Sequence, residues 1–226
     1  MAARTRSNPL ALAVLVQLWE RPMHPYEISM TLRERRKEES VRLNFGSLYA
    51  VVDSLERHGL IEAASTEREG NRPTRTVYRI TDAGVTEAVN WLTDLVRDPV
   101  KEFPQFETAL SFLPALAPDD AVRLLRIRAT TLQMAITGAD ATRRAASDRG
   151  LPELFALEAE FETAMQRAEL AFVEGLTRRI VDGSLAGVDM WRMLHRDMVR
   201  DGRVDPDAMA RAVAALETSM GGNATS

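Results

Sequence analysis

The chain has 226 residues, enough for one large or two small domains with a buried core. Its composition, 45% hydrophobic and 27% charged, is that of a globular protein, and the lack of Cys excludes disulfides and Cys-ligated metal centres. The formal charge of −4 divides into +2 over residues 1–84 and −6 over residues 85–226, so the acidity belongs to the second half. No signal peptide or membrane-spanning stretch is recognisable, which predicts a soluble cytoplasmic protein.

Two helices are predicted at the start of the chain. Asn8 and Pro9 open a helix that is apolar nearly all round as far as Trp19, a pattern typical of the buried central helix of a small domain. Pro25 suits the first position of a second helix, because the N–H that proline lacks has no helical partner there. Four basic residues between positions 33 and 37 make the far end of that helix positively charged.

The third helix carries the clearest pattern in the chain. Leu48, Val51, Val52 and Leu55 stand at i, i+3, i+4 and i+7, which predicts a stripe facing the core of the domain. The other side is small and polar, so its backbone can approach a DNA groove closely. Gly59 is well placed to end this helix as its C-terminal cap.

A β-hairpin is predicted directly after the third helix. Residues 60–64 and 76–80 resemble paired strands, and they flank a tip rich in Arg, Gly, Asn and Pro. A helix followed at once by a hairpin with a basic tip is the layout of a winged helix-turn-helix, which presents the helix to the major groove and the wing to phosphates. Thr81 then caps a fourth helix through Val85, Val89, Leu92 and Val96, which Pro99 stops.

The second half is predicted to be helical, with no convincing strand. The helices are expected at about residues 104–114, 119–148, 152–182, 188–201 and 206–219. An apolar seam repeats at three- and four-residue steps along the longest segment, and a matching stripe (Leu125, Ala129, Leu132 and Ile136) lies on the preceding helix. The seam predicts dimerisation through Leu154, Leu157, Phe161, Met165 (or Ala164), Ala168 and Phe172.

The predicted fold class is therefore mostly α. Residues 1–97 would form a winged helix-turn-helix, with three helices, a two-stranded wing and a linking fourth helix. Residues 98–226 would form an all-α coiled domain for dimerisation and for binding an effector.

Five short fragments stand in a characteristic order along the first half, at residues 21–27, 46–49, 55–61, 67–72 and 78–84. Through these fragments, residues 8–97 resemble the PadR family of transcriptional regulators. The resemblance implies a homodimeric, repressor-like regulator whose third helix reads a palindromic DNA operator and whose wing holds the DNA backbone. It also implies a helical C-terminal part of the Vir-type class that joins the dimer, and some long family members respond to phenolic acids or drug-like aromatic effectors.

The resemblance and the helix pattern together assign a set of DNA-binding residues. They are Tyr26, Asn44, Phe45, Gly46, Ser47, Tyr49, Ala50, Arg68, Arg72 and Arg75. The sequence departs from the family at several positions in or near this set. Pro25 replaces a usual Gly, Ala50 a frequent Pro, and Asn44-Phe45 a common Ser-Pro; the wing lacks the usual Lys before Tyr78.

Other functions find less support in the sequence. Trp91, Phe106 and Trp191 are the aromatic residues predicted to line an effector pocket, although at helical spacing such residues also suit a core or a dimer seam. The three histidines lack partners at metal-ligand spacing, and no motif of a metalloprotease, a phosphate-binding loop or a nucleophile elbow occurs. Neither an enzyme nor a cofactor is predicted. The alternative is a winged-helix adaptor that binds proteins and not DNA.

Overall fold

The computed structural model describes residues 8–37, 41, 45–67, 75–200 and 203–204. The chain divides into two compact units, Met1–Glu102 and Phe103–Ser226. Within the part of the chain that is described, no helix is both long and apolar enough to cross a membrane. The protein is mostly helical, as predicted.

The described residues of the first unit form four helices and a hairpin. Its elements are α1 (Pro9–Glu20), α2 (Pro25–Glu34), α3 (Phe45–Arg57), β1 (Ile61–Glu67), β2 (Arg75–Ile80) and α4 (Asp82–Arg97). The predicted start of α1 is confirmed, because Asn8 Oδ1 accepts a hydrogen bond from Leu10 N at 3.0 Å. Thr81 likewise caps α4 by accepting from Gly84 N at 3.1 Å.

Both ends of α2 are held by local hydrogen bonds. At the start, His24 Nδ1 accepts from Tyr26 N, and Glu27 Oε2 accepts from His24 N at 2.9 Å, which lowers the pKa of the Glu27 carboxyl. At the end, the amide of Lys37 reaches Leu32 O and that of Arg36 reaches Arg33 O. This bond pattern places Arg36 at φ 55°, in the left-handed region where glycine is the usual residue.

The core of the first unit lies around α1. Leu10, Val14 and Leu15 are almost inaccessible, which confirms that α1 is the buried central helix. The predicted stripe of α3 is also confirmed, since all four of its residues are buried against this core. The helix ends at Arg57, and Gly59 caps it as predicted, with φ 69° and an amide that donates to Glu56 O at 2.8 Å.

The wing sheet extends beyond the predicted hairpin. Strands β1 and β2 pair antiparallel from Ile61↔Ile80 to Glu67↔Arg75, with a register shift between Ala63 and Ser65. Met23, in the link between α1 and α2, exchanges two backbone hydrogen bonds of 3.0 Å with Tyr78 and so adds a bridge to the sheet. The sequence had shown this link only as the end of the first helix.

Helix α4 packs through two small residues and one tryptophan. Gly84, Ala88 and Trp91 are buried, whereas Val89, Leu92 and Val96 of the predicted stripe are exposed. The backbone approaches closely at Gly84, where a Cβ atom would lie 2.0 Å from Leu60 O. Glycine is therefore required by packing at this position.

The second unit is built on two long helices. Its elements are α5 (Gln105–Ser111), α6 (Pro118–Asp148), α7 (Leu157–Val181), α8 (Val188–Met198), β3 (Val199–Arg200) and β4 (Arg203–Val204), with 3-10 turns at Leu113–Ala115 and Glu153–Phe155. The prediction that this half lacks strands was wrong, because β3 and β4 pair antiparallel. Helix α8 therefore ends at Met198, three residues before the predicted end at residue 201. Two residues per strand are too few for a recognisable alternation. The helix predicted at 206–219 lies outside the described residues.

Helices α6 and α7 pack antiparallel and enclose a small core with α8. Leu125, Val173, Ile180 and Trp191 belong to this core. Three side chains of α8 bond to backbone carbonyls: Trp191 Nε1 donates to Leu116 O at 2.9 Å, Arg192 Nη2 to Ile180 O at 2.7 Å, and His195 Nε2 to Pro114 O at 2.9 Å. These bonds fix α8 against the ends of its neighbours.

Candidate nucleic-acid interface

The face of α3 opposite the core is open to solvent. Gly46, Tyr49 and Ala50 are exposed, and Ser47 is half-buried. Burial of Leu48 and its stripe fixes the helix by its other side, so these residues point outward by helical geometry. Such a surface, with small residues around one tyrosine, can approach DNA closely.

Two exposed tyrosines stand out on α2 and α3. Tyr26 is 51% exposed and Tyr49 45%. Among the described residues, neither phenol hydroxyl has a hydrogen-bond partner. A tyrosine hydroxyl is a donor that bonds readily to phosphate oxygens. The two side chains can therefore serve as DNA contacts without breaking any described interaction.

Tyr78 has a different role, which the sequence did not reveal. Its hydroxyl lies 3.4 Å from Glu56 Oε2 and donates to it. Burial, together with the charges of Glu56 and Asp53, raises the pKa of Tyr78. Because Glu56 is on α3 and Tyr78 on β2, this contact links α3 to the β-hairpin. The spacing of 22 residues hides such a pair from any local pattern.

Several predicted DNA contacts cannot be placed. Asn44, Arg68 and Arg72 lie outside the described residues. Phe45 begins α3 and Arg75 begins β2, but only the backbone of these two residues is described. The basic character of the wing therefore stays a prediction from the sequence.

The basic end of α2 divides into paired and unpaired groups. Arg35 binds both carboxylate oxygens of Glu20, at 2.5 and 2.7 Å, which raises the pKa of Arg35 and lowers that of Glu20. This pair joins α1 to α2 and is structural. Arg36 is exposed and makes no side-chain bond to a described residue, so its charge is available to a polyanion.

The predicted dimerisation residues form an exposed face of the second unit. Phe161 is 68% exposed, and Leu157, Met165, Ala168 and Phe172 are also exposed, as is Leu154 just before α7. The opposite side of α7, with Thr163, Val173 and Ile180, packs in the unit itself. At 100° per residue the two faces lie roughly 150° apart on the helix. Most of this face is thus uncovered by the described residues, although the ring of Phe172 also packs on Phe106.

The three predicted effector residues belong to two different cores. Trp91 is buried in the first unit. Phe106 and Trp191 pack on the core of the second, where Phe106 meets Phe172 edge to face at 6.4 Å and the guanidinium of Arg128 lies 3.8 Å over its ring. Arg128 also pairs with Glu169. An effector contact at these residues stays a prediction.

The described residues hold no cluster of acidic and histidine side chains that would bind a metal ion. His195 is bonded instead to the carbonyl of Pro114.

Residues 14–89 match the model of the "Transcriptional regulator PadR-like family". Bacillus subtilis PadR in complex with operator DNA is similar to this chain with a TM-score of 0.60 and 16% identity, covering 75% of this chain and 96% of that one. The protein smu.1604c from Streptococcus mutans UA159 has a TM-score of 0.51 and 20% identity, covering 73% of this chain and 96% of that one. Bacillus subtilis PadR in complex with p-coumaric acid has a TM-score of 0.58 and 16% identity, covering 76% of this chain and 95% of that one. None of the curated proteins compared matches the chain. At these identities the solved structures show a shared fold.

Proposed function

Residues 14–89 match the PadR-like family of transcriptional regulators, and from this premise we propose that the chain is a homodimeric repressor, not an enzyme, and that a small effector releases it from DNA. It would act in the cytoplasm on a palindromic operator. The observation that carries the proposal is the exposed face of α3, with Tyr49 among small residues and its opposite side fixed in the core.

The shape of α3 supports direct reading of DNA bases by this helix. An α-helix fits the major groove of B-form DNA, and small side chains let its backbone come near the base edges. Gly46 and Ala50 supply such side chains on either side of Tyr49. Tyr26 would hold a phosphate from α2, and the wing arginines would add contacts to the backbone.

Dimerisation is supported by the exposed apolar face of α7. Large exposed apolar side chains in a row are typical of a protein–protein contact. A two-fold dimer would carry two copies of α3, which suits half-sites about one helical turn apart on DNA. The boundary at residue 97 between the DNA-binding and dimerisation parts belongs to the same proposal.

Effector release would act through the dimer. A ligand that binds one arrangement of the two protomers more tightly shifts the population toward it and changes the separation of the reading helices. Bacillus subtilis PadR, which has been solved with operator DNA and with p-coumaric acid, supports a two-ligand regulator. A small aromatic or drug-like compound is the effector class we propose.

The test is a mobility-shift titration against DNA from upstream of the chain's own gene. Arg72→Ala with Arg75→Ala should weaken binding to all sequences and flatten the salt dependence by about 0.9 in slope for each phosphate that the wing no longer neutralises. Arg143→Ala with Arg144→Ala removes the same charge from α6 and should leave the slope unchanged.

A second variant separates base reading from backbone binding. Tyr49→Ala should weaken binding to the operator more than to unrelated DNA, because the change falls on the helix that reads bases. If the wing variant bound as the wild type does, the wing assignment would be wrong. If the wild-type chain shifted no duplex but captured a protein, the adaptor function would replace the repressor.

A further inference from the structure

A groove of about 520 Å³ opens at one end of the helical unit. The first turns of α6 form one side of it, Ile180 and Val181 at the end of α7 form another, and Arg192 of α8 completes it. Its volume lies in the range of sites for small organic molecules. All residues that line the groove lie between Pro118 and Arg192, outside residues 14–89, which match the family model.

The apolar part of the groove is aliphatic. Val122 and Ile180 are buried at its base, whereas Ile127 and Val181 are 55% and 54% exposed beside it. Among the described residues that line the groove, there is no Phe, Tyr or Trp. Covering these two exposed side chains would remove apolar surface from water, which is favourable in proportion to the area buried. The lining therefore fits a flexible aliphatic chain.

The polar part of the groove is cationic. It contains the guanidinium groups of Arg123, Arg126 and Arg192, against the single carboxylate of Asp119. Arg123 donates to Asp120, and Arg192 donates to Asp189 and to Ile180 O, so each uses only some of its five N–H donors.

Arg126 differs from its two neighbours. Within the described part of the chain its side chain makes no hydrogen bond or ion pair. Arg126 and Ile127 both line the groove, so an unpaired guanidinium and an uncovered aliphatic side chain open onto the same space. The planar fork of a guanidinium matches the two oxygens of a carboxylate.

We propose that this groove binds a small aliphatic carboxylate of the medium-chain fatty acid type. The carboxylate would lie against Arg126, with Arg192 beside it, and the hydrocarbon chain would cover Ile127 and Val181. This site goes beyond the proposed DNA-binding function, and its test needs no DNA.

Isothermal titration of the full-length chain with octanoate tests the proposal, with 1-octanol as the uncharged probe of the same chain length. We expect one octanoate per chain and binding of octanol at least about tenfold weaker, because an alcohol cannot form the charge-assisted hydrogen bonds of a carboxylate. Arg126→Ala should weaken octanoate binding by about tenfold. Val181→Asp, at an exposed position, should also weaken it.

Arg144→Ala is the matched control, since it removes an exposed arginine from α6 roughly 27 Å along the helix from Arg126. Its affinity for octanoate should equal that of the wild type, and circular dichroism should show equal helix content for all variants. Absence of octanoate binding, equal binding of octanol, or unchanged binding by Arg126→Ala would each overturn the proposal. Octanoate binding that disappears at protein concentrations where the chain self-associates would show that a second copy covers the groove. That result would also overturn the proposal.

Discussion

The two units differ in how they use their apolar side chains. In the described residues, the core of the first unit has sixteen buried hydrophobic residues, gathered around α1, whereas that of the second has seven. The second unit instead leaves large apolar side chains on the surface of α7, among them Phe161 and Phe172. Its long helices pack on one another along one side only.

This difference indicates two sources of stability. The first unit can fold on burial within itself, as a small domain with a central helix does. The second unit exposes an apolar face that an isolated soluble protein rarely shows as a continuous patch. We therefore expect the stability of the second unit to depend on protein concentration and that of the first unit to be independent of it.

The largest expected effect is on the free energy of unfolding, when one glycine in each unit is replaced by alanine. Gly84→Ala should lower the free energy of unfolding of the first unit by about 3 kcal/mol, because the new Cβ would overlap Leu60 O. Gly138→Ala lies inside α6 with nothing within 4 Å of the added Cβ, so it should stabilise the second unit by about 0.5–1 kcal/mol. Urea titration followed by hydrogen exchange in peptides from each unit would measure both. Equal effects of the two changes would refute the packing argument.

The next effect tests the exposed face of α7. Phe161→Lys should raise the dissociation constant of the dimer about thirtyfold, equivalent to about 2 kcal/mol, because a charge replaces an apolar contact residue. Sedimentation equilibrium at several protein concentrations would report it. Glu174→Lys puts the same side chain on an exposed position of α7 away from this face and should leave the dimer intact. A wild-type chain that stayed monomeric at all concentrations would remove the basis of the comparison.

The smallest effect concerns the backbone of the first unit. Arg36 occupies a left-handed conformation, which costs an L-residue roughly 1 kcal/mol relative to glycine. Arg36→Gly should therefore stabilise the first unit by about 0.5–1 kcal/mol and leave the second unit unchanged. Thermal unfolding followed by hydrogen exchange would detect the shift. An unchanged or lower stability would show that the Arg36 side chain makes a compensating contact.

Much of the first unit could be predicted from the sequence because its signals are local. The cap at Asn8, the stripe of α3 and the left-handed Gly59 each depend on residues within one or two turns. The same holds for the outward face of Gly46, Tyr49 and Ala50, since burying one side of a helix exposes the other.

The remaining features depend on contacts between residues far apart in sequence. No local pattern pairs Met23 or Glu56 with Tyr78, or shows that Gly84 must fit beneath Leu60. On α7 the sequence showed one seam, whereas the helix has one apolar face packed within the unit and a second that is exposed. Periodicity shows that a helix has an apolar face but not what covers it. The groove beside Arg126 could not be predicted either, because Arg192 of α8 forms part of its wall. The position of α8 depends on its side-chain hydrogen bonds to the carbonyls of Ile180 and Leu116.

The bridge between Met23 and Tyr78 has a mechanical consequence. Its two hydrogen bonds tie the wing to the segment just before α2, and Tyr26 follows only three residues after Met23. A displacement of the wing on DNA binding would therefore also displace the start of α2. The wing and Tyr26 would then move together. If Tyr26 and the wing bind DNA as proposed, their contacts would form or break in a single step, which would disfavour partial binding of a half-site.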